Sequence, residues 1–142
     1  MQDISYPYET WTVCKPKVTS SKGVVVAQEI EAASIGARII ESGGNAIDGA
    51  IATAFALSVT EPWMSGLGGG GFMMLYLANE NRVRVIDFGM ISPKMTDLAD
   101  YPLSGDIGVD LFGWPAVAGD TNLHGAKSVT VPGAVAGYGL AV

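Results

Sequence analysis

The spacing of apolar and polar residues changes several times along the chain, and each change marks an element. Gly23-Val24-Val25-Val26-Ala27 is a continuous apolar run rich in β-branched residues, which predicts a strand covered on both faces. From Gln28 to Ser42 the period shifts. Ile30, Ala33, Ala37 and Ile40 recur at three- and four-residue steps, the stripe of an amphipathic helix. Gly43-Gly44 supplies the left-handed stop. Asn45 reads as the cap of a second helix, with Asp48 three residues on as the acid of a capping box. The segment Ala46 to Thr60 is apolar almost all round, so this helix is expected to be deeply buried, and Pro62 ends it.

Phe72 to Leu77 predicts another buried strand, Ala78-Asn79-Glu80-Asn81 a turn, and Arg82 to Phe88 a strand with one wetter face. These two strands make a hairpin. Gly89 to Lys127 shows little periodicity and is far longer than a usual connection, which predicts either a functional loop or a segment packed against something outside the chain. Ser128 to Val131 looks like a last short strand. Pro132-Gly133 opens a third helix that is still running at Val142. Residues 1–21, with Pro7, Pro16 and Ser20-Ser21, read as an irregular lead-in. The expected organisation is that lead-in followed by a single α/β unit over 22–142, incomplete at its C-terminal side.

Composition sharpens this picture. Of 142 residues, 49% are hydrophobic and 15% charged, against about 25% charged in ordinary soluble domains. Such a chain is built to bury surface and does not have the composition of a disordered segment. It carries 8 Lys+Arg against 14 Asp+Glu, with no basic cluster, which argues against a nucleic-acid partner. The longest apolar stretch, Gly49 to Thr60, is well short of the ~20 residues that span a bilayer, so no membrane partner is expected. Cys14 is the single cysteine and cannot form an internal disulfide. The N-terminal residues include an early acid and no apolar core of the kind that signal peptides carry. A cytoplasmic location is therefore expected, or a periplasmic one if the N-terminus is a processed or engineered start.

Candidate chemistry is sparse. The run Gly66-Leu67-Gly68-Gly69-Gly70-Gly71 follows a helix and opens a strand, the reverse of a dinucleotide fingerprint, and Phe72-Met73 stands where a phosphate loop needs Lys-Ser/Thr. Close backbone packing is its expected role. Ser65 lacks the first glycine of a nucleophile elbow. His124 is the sole histidine, and with one cysteine beside it in the inventory no metal site is expected. No cofactor is expected either. Glu61 reads as a helix-end residue, and Asp87, at a strand end, as a site candidate or as a carboxylate capping the next turn.

The landmarks taken in order say more than any one of them. The run GVVVAQEIEAASIGARIIESGGNAIDGAIATAFALSVTEPWMSGLGGGGFMMLY, then VIDFGMISP, then SVTVPGAVAGYGLA, resembles the gamma-glutamyltransferase family over roughly residues 22–142. That resemblance implies an N-terminal nucleophile (Ntn) hydrolase, an αββα sandwich made as a self-cleaving precursor. A threonine at the new N-terminus of the small subunit attacks an amide, its own α-amino group serves as base, and backbone N–H groups hold the oxyanion. The acyl group then passes to an amine or to water. This chain would be the beginning of the large subunit, with no catalytic residue of its own and no activity alone. Its partners would be a small-molecule amide substrate, the rest of the large subunit, and the small subunit.

One departure bears on substrate. The family usually reads Asp-Phe-Arg-Glu after the hairpin strand, its arginine gripping the substrate's α-carboxylate. Here Asp87-Phe88-Gly89-Met90 puts Gly89 at that position. Gly89 and Asp87 are thus the substrate-binding candidates that the resemblance implies. A related acylase or amidohydrolase with a non-glutamyl substrate is the rival expectation, and an inert truncated product, or a binding module using the glycine loop, is the rival of another class.

Overall fold

The computed structural model describes residues 17–108 and 112–142. Cys14 and most of the expected lead-in lie outside the described residues.

Helix α1 spans Ile30–Glu41 and α2 spans Ala46–Thr60. The Glu29 carboxylate caps α1, accepting from the Glu31 N–H at 3.0 Å and the Ala32 N–H at 2.8 Å. These donors, the Glu31 amide foremost, hold the Glu29 carboxyl below its usual range. At the other end Gly43, with φ 101°, lets the Gly43 N–H reach Ile40 O and the Gly44 N–H reach Ile39 O, at 3.1 and 3.0 Å. That pair of bonds is a Schellman stop. The expected capping box opens α2: Asn45 Oδ1 accepts from the Ile47 and Asp48 amides, and Asp48 Oδ2 accepts from the Asn45 N–H at 2.8 Å. Asn45→Ala is expected to lower stability by about 1 kcal/mol, read as a downward shift of the urea midpoint at unchanged slope.

The two helices cross through small residues. Ala32, Gly36 and Gly49 are buried at the contact, with Thr53 only 5% exposed beside them. α2 is less enclosed than its composition suggests, because α1 covers a single side of it: Phe55 and Val59 remain exposed. The expected strand Gly23–Ala27 forms no ladder. It runs instead beside the helix pair, Val25 approaching Gly36 and Thr53, so side-chain contact rather than backbone pairing holds it.

Strands β1 (Phe72–Leu77) and β2 (Arg82–Asp87) form the expected antiparallel hairpin, in a register that sets Phe72 opposite Asp87 and Leu77 opposite Arg82. Helix α3 (Ala134–Ala141) packs on it, and Leu75, Leu77 and Ile86 face a hollow shared with Ile47 and Leu140. The opposite face is bare. Phe72, Met74 and Tyr76 are exposed there together with Val83 and Val85. β1 is therefore half-buried on one face and bare on the other, because helices cover one side of the hairpin and no described element covers the other.

The long aperiodic segment holds more structure than its sequence predicts. Strands β3 (Leu103–Ile107) and β4 (Pro115–Val117) pair as a second hairpin, and short 3-10 turns occupy Leu98–Asp100, Ala118–Asp120 and Ala126–Ser128. The β3 run Leu-Ser-Gly-Asp-Ile has no β-branched series and is broken by Gly105 at φ 93°, so its period is not visible. Asp100 closes the segment: Oδ1 binds Lys127 Nζ at 2.5 Å, and its carbonyl accepts from Thr121 Oγ1. Within the expected strand Ser128–Val131, Val131 alone pairs, bridging to Ile91. Ser128 belongs to the preceding turn, whose helical geometry excludes it from a ladder.

Candidate functional site

The glycine run, the end of β2 and the start of α3 meet at one junction. Phe88 and Gly71 exchange two backbone hydrogen bonds, at 3.0 and 3.3 Å, continuing the hairpin by one pair beyond Asp87. Gly69 O then accepts from the Gly133 and Ala134 amides, both at 3.0 Å, which docks the N-terminus of α3 on the loop. The backbones approach so closely that side chains are excluded. A Cβ at Gly70 would lie 2.5 Å from Phe88 O, one at Gly133 would overlap that same oxygen, and one at Gly137 would overlap the Phe88 ring. The run serves close packing, as expected from its position between a helix and a strand. Phe88 meets Tyr138 edge to face at 5.6 Å, and Tyr138 meets Phe55 at 5.2 Å, so aromatic contacts tie the hairpin, α3 and α2 together.

Beside this junction lies a cleft of about 410 Å³, between the Pro62–Gly70 loop, Met90 and Tyr138. Asp87 is exposed, and its Oδ1 accepts the Gly89 N–H at 3.0 Å, the turn-capping role. Gly89 is half-buried; a Cβ built there meets Asp87 Oδ1 alone, at 3.3 Å. The two substrate-binding candidates thus form one turn at the cleft's edge. No Lys or Arg lines the cleft. Arg84 lies three residues back from Asp87, about 10 Å along a strand, and is ion-paired with Glu80 at 2.9 Å. Arg82 sits at the hairpin's far end, opposite Leu77.

The remaining candidates have local roles. Glu61 caps α2, its N–H on Leu57 O and its carbonyl accepting the Met64 and Ser65 amides. Ser65 Oγ turns back to that carbonyl. His124 is exposed, its N–H on Asp120 O. Among the described residues no group of three or more His, Cys, Asp or Glu could hold a metal ion. Met64, Met90 and Tyr138, which give the cleft its character, carry no motif that the sequence alone would single out.

The family described as Gamma-glutamyltranspeptidase matches residues 32–142. An "Acylase ACY 1 proenzyme" of Pseudomonas sp. (strain V22) is 39% identical over 132 residues, covering 90% of this chain and 22% of that protein. A "Glutathione hydrolase proenzyme" of Pseudomonas aeruginosa is 38% identical over 119 residues, covering 84% of this chain and 19% of that protein. The solved gamma-glutamyltranspeptidase from Pseudomonas nitroreducens, complexed with L-DON, superposes with a TM-score of 0.71 at 37% identity, over 87% of this chain and 33% of that one. The chain thus spans about a fifth of the length of these curated relatives. With a family match across most of its length and an α/β fold shared with a solved member, this chain belongs to the gamma-glutamyltranspeptidase family.

Proposed function

We propose that the protein carrying this chain cleaves an amide and transfers its acyl group to an amine or to water, and that these residues form scaffold and one wall of the acyl pocket. The observation that supports this reading is the junction of Asp87-Phe88-Gly89 with the glycine loop and α3, beside which lies a cleft of ligand size lined by Met90 and the Pro62–Gly70 loop. A threonine outside this chain attacks the amide carbonyl. Its own amine takes the hydroxyl proton, the C–N bond breaks as an ester forms, and the acceptor then releases the acyl group. The remainder of the large subunit and the small subunit cover the bare hairpin face of Phe72, Met74 and Tyr76, a patch too apolar to stand in water.

Gly89 favours a second reading within this one: an acylase-like donor other than γ-glutamyl, since the turn lacks the arginine that would hold an α-carboxylate. Intact-mass measurement on the gene product from its own source tests the common reading. Two chains are expected, one beginning at threonine, with amide turnover by the pair and none by residues 1–142 alone. A single uncleaved chain, or turnover by residues 1–142 alone, would overturn it.

A further inference from the structure

We propose that the cleft beside Gly89 accepts an uncharged, apolar acyl chain, and that Met64 and Met90 set this selectivity; the inference rests on the acyl-transfer reading above. Three observations carry it. First, the lining holds no Lys or Arg, and among its side chains only Ser65 and Tyr138 bear a hydroxyl. The Ser65 hydroxyl is directed back to Glu61 O at 3.4 Å. A donor bearing an α-amino-carboxylate would find no cation on this wall and so no charge-assisted anchor from these residues.

Second, two thioethers stand at the cleft, Met64 72% and Met90 53% exposed. Unbranched, polarisable side chains of this kind fill irregular apolar space and suit a flexible alkyl chain. Third, the wall around Met90 and Tyr138 is closely packed. The Met90 backbone is pressed against Gly70, where a Cβ would sit 2.8 Å from the Met90 nitrogen, and Tyr138 is held between Phe55 and Phe88. That side of the wall therefore keeps its shape while the methionine side chains adapt to the donor.

The test is the ratio of kcat/KM for hexanoyl-p-nitroanilide to that for γ-glutamyl-p-nitroanilide, measured on the whole processed protein. The native protein is expected to favour the hexanoyl donor by about tenfold or more, within the reach of one apolar pocket. Met64→Ala combined with Met90→Ala should lower that ratio about tenfold, whereas Met90→Leu, which keeps an apolar side chain of similar volume, should hold it. A Tm unchanged between the native protein and both variants separates a change of selectivity from a loss of fold. A native preference for the γ-glutamyl donor would overturn the inference, as would an equal loss on both donors in the double variant. Turnover of neither donor would overturn this inference, while the acyl-transfer reading stands or falls by whether the gene product is cleaved into two chains, one beginning at threonine.

Discussion

Gly36→Val is expected to break the packing of α1 on α2 and to destabilise the protein by at least about 3 kcal/mol, the upper part of the usual range for overpacking. A Cβ at Gly36 would overlap Thr53 Oγ1, lie 2.7 Å from Gly49 O and 3.1 Å from Val25 Cγ1. None of these can give way cheaply. Thr53 is buried and donates to Gly49 O at 2.8 Å, so turning its hydroxyl aside would orphan a buried group. Gly49 O belongs to the helix backbone, and Gly49 is itself wedged by Ile40 Cγ1, 2.9 Å from where its own Cβ would be. The helices would have to separate, exposing Ala32 and Ile51. Gly139→Ala makes the same kind of change where nothing lies within 4 Å, inside α3. There the expected outcome is a gain of roughly 0.5–1 kcal/mol, from a less flexible unfolded chain. Urea midpoints of the two variants moving in opposite directions would support the close crossing; a neutral Gly36→Val would refute it.

Where local chemistry decides the structure, the sequence shows it. Asn45 and Asp48 announce the start of α2, Gly43-Gly44 the stop of α1, and the alternation through Arg82-Val83-Arg84-Val85 the second arm of the hairpin. Each depends on residues within four positions of one another. What stayed hidden depends on partners distant in the chain. Val24-Val25-Val26 has the composition of a covered strand, yet it lies along a helix pair, because composition reports apolar surface and not which element covers it. The same limit applies to β1, whose run Phe72-Met73-Met74-Leu75-Tyr76-Leu77 is uniformly apolar while one face stays bare. The β3–β4 hairpin escaped for another reason: Gly105 and Pro115 interrupt the period at the residues that shape it. At the site, the resemblance singled out Asp87 and Gly89 as a turn of interest. The cleft itself was not legible, since Met64, Met90 and Tyr138 meet only through the docking of α3 on Gly69.

Gly89→Arg, made in the whole protein, is expected to shift donor preference toward γ-glutamyl substrates by about 10- to 100-fold, since charge-assisted hydrogen bonds contribute ~1.5–3 kcal/mol each and 1.4 kcal/mol is tenfold. The position can take the side chain. Its φ is not in the left-handed region, and the new Cβ would meet Asp87 Oδ1 alone, at 3.3 Å, which a small rotation of that carboxylate relieves. The guanidinium would then stand beside a cleft to which these residues contribute no other cation, so a carboxylate bound there would gain a partner from this turn. Asp87 is the competitor. It is exposed and already accepts the Gly89 N–H, and an exposed pair of this kind is worth at most about 1 kcal/mol, less than a bidentate anchor on bound substrate. The substrate therefore wins the arginine. Gly89→Met separates charge from bulk: it fills the same space without a donor and should leave γ-glutamyl preference where it stands. The ratio of kcat/KM for γ-glutamyl- over hexanoyl-p-nitroanilide reads both variants. A rise for arginine and none for methionine would establish Gly89 as the position that withholds the carboxylate anchor. Equal ratios in the two variants would mean that the acyl group binds elsewhere and that the turn at Asp87 serves the fold alone.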